Sequence, residues 1–173
     1  MLESVGLGYR IRGIPHHYWS MDTDLPEATL WYHAQAGFVY DSSLGLNDAA
    51  GFRRGIAWPF YPFLREKATV VPIREIQPTL MDGNTFYEHK SEQEALGELR
   101  SHIRQAFDDG AAIVLDWHLE QLNPARLHAA GPALLKALAE LRDDPRIYWV
   151  SPGQLSDWWL ERRRILLSQR PSE

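Results

Sequence analysis

GFVYDSSLG at residues 37–45, followed by GFRRG at 51–55 and PFYPF at 59–63, is the stretch on which the fold turns. A short apolar run, Phe38 to Tyr40, delivers Asp41 into a loop rich in glycine and serine. A strand that opens into a polar loop is the grammar of a βα unit, in which side chains at the strand's C-terminal end face a ligand. Upstream, the spacing predicts a short helix over 26–36, with Leu30, Trp31 and Ala34 on one face and Gly37 as its stop. Before it, 8–14 reads as a strand running into PHHYW. Downstream, the density of Gly, Pro and aromatic residues over 45–64 predicts a long ordered loop. VVPIREI at 70–76 then reads as the next strand, with Pro72 suited to an edge or bulge because it has no N–H for a ladder.

The rest of the chain repeats the alternation. Ser91 and Glu94 have the spacing of a capping box, opening a helix whose Leu96, Leu99, Ile103 and Phe107 share a face and whose natural stop is Gly110. AAIVL at 111–115 reads as a buried strand, followed at once by Asp116, Trp117 and His118. An amphipathic helix is predicted over 132–141, a last strand at IYWV, 147–150, and a terminal helix opened by Ser151, Pro152 and Gln154. About five strands with intervening helices predict an α/β fold with parallel pairing, a partial or open (β/α) barrel sector, in a single domain over 1–173. His16, His17, Asp41, Asp116 and His118 each follow a strand's C-terminal end. Such a topology would collect them on one face.

Composition narrows the function classes. A chain of 173 residues with 45% hydrophobic content can bury one ordinary core. The net charge of −5 gives no basic stripe, so neither a nucleic acid nor an anionic membrane is an expected partner. Without cysteine, any metal would have to be held by His and carboxylates. No signal-like segment or run of membrane-spanning length is visible, and a cytoplasmic location is expected. Seven Trp and seven Tyr are the compositional oddity. Flat amphipathic rings either pack in the core and its rim or stack on sugar faces.

AGF with YDSSLG, then GFRRG and a Pro/Phe-rich loop, together with LDWH at 115–118, resembles the second part of a polysaccharide deacetylase domain of the NodB-homology type. The resemblance runs from about Gly13 to SPGQLSDWW. It implies a (β/α)7-type barrel fold and metal-dependent hydrolysis of sugar N-acetyl groups. In LxxH, the matching His118 would be the general acid that protonates the leaving amine, a task suited to an imidazole titrating near neutral pH. Asp41 resembles the aspartate of the family's fourth motif, which supports the catalytic groups; a loop-capping role through the following amides is the other reading. His17 matches a family histidine beside the substrate. Tyr18, Tyr40, Trp58 and Trp117 are the candidate sugar-contacting rings. Pro15 stands where relatives carry an orienting arginine.

FDDG at 107–110 spells most of the family's TFDDG base and metal motif, but it falls on a capped helix with Gly110 as the stop, whereas the motif belongs after a strand. A strand-borne TFDDG and a following HxxxH are therefore missing. The resemblance implies a divalent, zinc-like ion for the complete family domain and none for this chain alone. The expected partners are a carbohydrate and either a complementary N-terminal half or a second copy. Four readings follow: a deacetylase portion inactive alone, a noncatalytic carbohydrate-binding relative, a structural partner pairing through an open sheet edge, and a self-contained hydrolase using His16 or His17 with Asp116 and His118.

Overall fold

The computed structural model describes residues 11–83, 91–123 and 129–169, so Gly8 to Arg10 of the expected first strand lie outside the described residues. The chain is mixed α/β. Its helices are α1 (Pro26–Gln35), α2 (Glu92–Asp109), α3 (Ala130–Leu141) and α4 (Pro152–Ser168). Its strands are β1 (Gly13–Ile14), β2 (Tyr40–Asp41), β3 (Phe63–Leu64), β4 (Thr69–Val70), β5 (Arg74–Glu75), β6 (Leu80–Met81) and β7 (Leu115–Asp116). These divide among three small sheets, β1-β2-β5, β3-β4 and β6-β7, and no closed barrel forms among the described residues. Two compact units result. The first takes the described residues of Met1–Leu44, Pro59–Gln77 and Val150–Glu173, and the second those of Gly45–Trp58 and Pro78–Trp149.

In the first unit, α1 begins with Pro26, whose fixed φ suits the opening turn, and ends at Gly37, which takes φ 93°. Leu30 on its inner face is fully buried among Leu44, Leu64, Val71 and Ile73. The sheet is parallel, pairing Gly13 with Tyr40 and Ile14 with Asp41, then Tyr40 with Arg74 and Asp41 with Glu75. Registered partners share a face and neighbours alternate. Tyr40 and Arg74 therefore occupy the face toward α4, where Arg74 Nε donates to Ser156 Oγ at 2.6 Å. Asp41 and Glu75 occupy the other face, where His33 of α1 meets Asp41. The Ser151–Gln154 capping box forms at the start of α4.

The expectation of one strand over 70–76 is corrected. Before Pro72, Val71 N bonds to Pro62 O and the chain runs antiparallel to β3; after it, Arg74 N bonds to Val39 O and the chain joins β2 in parallel. Pro72, lacking a donor, marks the switch between two sheets.

In the second unit, α2 has the expected capping box, with Glu94 N donating to Ser91 Oγ and Ser91 N to Glu94 Oε2, and it ends at Gly110 with φ 59°. FDDG is thus helix end. Leu96 and Leu99 of α2 pack with Ala133, Leu134 and Ala137 of α3 and with Leu80 of β6. Two expectations are corrected here. Of AAIVL, only Leu115 enters a ladder, where β7 pairs with β6, and its side chain is exposed. IYWV forms no strand: Ile147 N turns back to Asp144 O, and Tyr148 and Trp149 are exposed at 74% and 48% with no ladder partner among the described residues. A two-residue ladder cannot cover a face, so apolar content alone misleads about burial.

Candidate functional site

The second unit carries the clearest chemical grouping. β6 and β7 run parallel with Leu80 opposite Leu115 and Met81 opposite Asp116, so both chains leave the ladder at the same end. Asp82 follows β6 directly, and His118 lies two residues past β7. The buried Asp82 carboxylate grips His118 twice: Oδ1 lies 2.8 Å from ring Nδ1, and Oδ2 accepts the His118 backbone N–H at 3.1 Å. Gly83 N adds a third donor, to Oδ1, at 2.7 Å.

The double contact fixes the ring's position through both backbone and side chain. The His118 side chain is half exposed, and with Nδ1 engaged by Asp82 the other ring nitrogen, Nε2, is left for a reacting group. The hydrogen bond to the Asp82 carboxylate raises the His118 pKa above the ordinary histidine value; burial opposes this, and the negative charges of Asp82, Glu120 and Asp116 add to the rise. An imidazolium held by a buried carboxylate is a proton donor of fixed orientation.

Of the residues singled out in the sequence, His118, Asp116, Trp117 and Trp58 belong to the second unit and His17, Tyr18, Tyr40 and Asp41 to the first. Asp116 lies in β7 itself and acts on His118 through its charge. Trp117 packs against the unit's apolar cluster, a core-rim role, and Trp58 is half-buried. Tyr40 lies over Gly13, where a Cβ would overlap its ring, and its hydroxyl approaches Gly153. Asp41 is fully buried, with Oδ2 2.6 Å from His33 Nδ1, while Ser43 Oγ accepts the His16 backbone N–H at 2.8 Å. His17 and Tyr18 are exposed in a short 3-10 turn, His17–Trp19, with ring centroids 4.2 Å apart. Tyr18 and Trp19 take φ of 55° and 46°, left-handed values that side-chain-bearing residues seldom adopt.

The partner of His118 is a residue the sequence reading passed over. TLMDG at 79–83 mirrors IVLDWH in ending a short apolar run on an acidic residue, but a strand of two residues shows no periodicity to flag it. Among the described residues, no three His, Asp or Glu side chains converge as a ligand set for a metal ion. No helix among them is long and apolar enough to cross a membrane. Neither a family model, nor a curated protein, nor a solved structure matches this chain.

Proposed function

We propose that the chain is a polysaccharide deacetylase-like protein in which His118 is the general acid and Asp82 the residue that orients it. The observation that supports this is the double contact between Asp82 and His118 past the ends of two parallel strands. The proposed reaction is hydrolysis of an N-acetyl sugar: water adds to the acetyl carbonyl, the C–N bond breaks to leave acetate, and His118 Nε2 gives its proton to the departing amine. Asp82 keeps the Nδ1–H in place and stabilises the imidazolium until that transfer. A divalent ion in the complete family domain would polarise the carbonyl and its attacking water. The water's proton acceptor and the ligands of that ion are assigned to a complementary partner segment bearing TFDDG and HxxxH.

Acetate release from N-acetylated oligosaccharides, followed with the protein mixed with such a segment and a divalent ion, should fall about 10²- to 10⁴-fold in His118→Ala, the usual contribution of a general acid. Release at the wild-type rate from the variant would refute the assignment.

A second measurement needs no activity. In an NMR titration, His118 should titrate above the ordinary histidine value and move back toward it in Asp82→Asn. The linkage has a definite sign. Because the folded-state pKa is raised, the stabilisation is fully present below the ordinary histidine pKa and is lost as pH rises through the value in the folded protein. Asp82→Asn should flatten that loss.

The exposure of Tyr18, 84%, beside His17 in a left-handed turn favours a second reading, a noncatalytic carbohydrate-binding surface. Binding of an N-acetylated oligosaccharide that survives His118→Ala but not Tyr18→Ala would select it.

A further inference from the structure

The first unit contains buried carboxyl groups that the proposed chemistry does not use. Asp41 and Glu75 are both fully buried and stand opposite each other in the parallel register of β2 and β5, so their side chains rise from the same face. One oxygen of each is accounted for. Asp41 Oδ2 meets His33 Nδ1 at 2.6 Å, and Glu75 Oε1 accepts the Leu44 backbone N–H at 2.9 Å. The other two, Asp41 Oδ1 and Glu75 Oε2, are sealed from solvent with no donor among the described residues.

Two buried carboxylates rising from neighbouring positions on one sheet face, each with an unsatisfied oxygen, would carry a large desolvation cost and repel each other. One proton removes both problems. We propose that Asp41 and Glu75 hold a single proton between them, Glu75 donating to Asp41 Oδ1 while Asp41 Oδ2 accepts from His33, so that β5, β2 and α1 are joined by one continuous hydrogen-bonded chain.

The surroundings agree with this assignment. Glu75 has its pKa pushed well above the ordinary value, first by burial and next by the charge of Asp41, with the Leu44 and Ser43 amides opposing. The cation adjacent in sequence does not intervene: Arg74 alternates to the opposite face, where its guanidinium bonds to Ser156 and to the Tyr61 hydroxyl at 3.3 Å. From α1 the facing titratable group is His33, and from the segment after β1 it is His16, whose ring stacks on His33 at 5.4 Å. Phe60, which bridges to the Glu75 backbone, brings no charge.

The device is a pH-sensitive latch. The stability it gives is complete below the pKa of an unfolded Glu and is lost as pH rises toward the raised value in the folded protein, because only the unfolded chain releases the proton over that range. In that window the unfolding constant of the first unit should gain about tenfold per pH unit from this one group.

The test uses the intact chain. NMR of the side-chain carboxyl carbons should show Glu75 still protonated at a pH where the exposed glutamates have already ionised; a Glu75 carbon that titrates with them overturns the proposal. Glu75→Gln keeps a donor toward Asp41 Oδ1 but carries no titrating proton. Hydrogen exchange at the Ser42 and Ile76 amides, which tie β1, β2 and β5 together, should then lose its one-proton pH dependence relative to the wild type. An unchanged slope in Glu75→Gln would equally overturn it. The carboxyl titration on the wild-type protein decides the matter even if the variant fails to fold.

Discussion

Gly131→Ala is expected to destabilise the second unit by about 3 kcal/mol, although the same exchange in an open helix stabilises by about 1 kcal/mol. Gly131 is buried in the first turn of α3, and a Cβ there would run into the Gln121 carbonyl oxygen while lying 2.9 Å from the Gln121 carbon and 3.4 Å from Leu122 Cα. All three are backbone atoms of the short 3-10 turn Leu119–Leu122, so no rotamer change relieves the overlap. Either α3 retreats from its leucine partners or the turn shifts, and the turn starts directly after His118. Gly97→Ala in α2 is the matched control. Gly97 is exposed and an added Cβ meets nothing within 4 Å, so that variant should gain about 1 kcal/mol. Urea unfolding followed by hydrogen exchange of α2 and α3 amides reads both signs in the same unit. Two changes of the same sign would show that the close approach at Gly131 does not control α3.

Leu99→Ala should cost about 2–5 kcal/mol, toward the upper part of that range. Leu99 is fully buried where α2 meets α3, and its neighbours include Ala95, Ala133 and Ala137, side chains too short to reach into the space it would vacate. The cavity term therefore adds to the lost transfer energy instead of being relaxed away. Leu99→Met, which roughly conserves volume, should cost under about 1.5 kcal/mol. The ion pairs between the same two helices, Arg100 with Glu140 and Lys136 with Glu92, are largely exposed and contribute little by comparison. Denaturant midpoints for Leu99→Ala and Glu140→Gln separate the two sources of helix pairing. A larger loss from Glu140→Gln would mean that charge, not packing, joins α2 to α3.

The parts of this structure legible in the sequence are those written in local chemistry. Ser91 with Glu94 and Ser151 with Gln154 form the capping boxes their spacing announces, and Gly37 and Gly110 take the left-handed values that stop α1 and α2. Strand extent was not legible. Every strand among the described residues has two members, so what decides pairing is a neighbour brought from elsewhere in the chain: β2 takes one from before α1 and another from beyond the 45–62 loop. IYWV has strand-like residues and no such neighbour, while RE at 74–75, with two ionisable side chains, pairs with β2 and is buried. The site followed the same division. His118 stood out because imidazole chemistry is visible in one residue; Asp82 did not, because its importance lies in the Leu80–Leu115 register that carries it there.

The route of the chain through its two units also governs how the protein can fold. The chain passes from one unit to the other after Leu44, Trp58, Gln77 and Trp149. The first unit is closed by α4, whose Ser156 receives Arg74 across 82 residues and whose Asp157 receives Arg12 across 145. Those pairings cannot form on a growing chain until the whole second unit has emerged. The ribosome thus delivers a nearly finished second unit, rich in local helix contacts, ahead of a first unit whose sheet waits with one face bare. Refolding should show a fast phase from α2 and α3 and a slow one in which β1, β2 and β5 become protected together with α4.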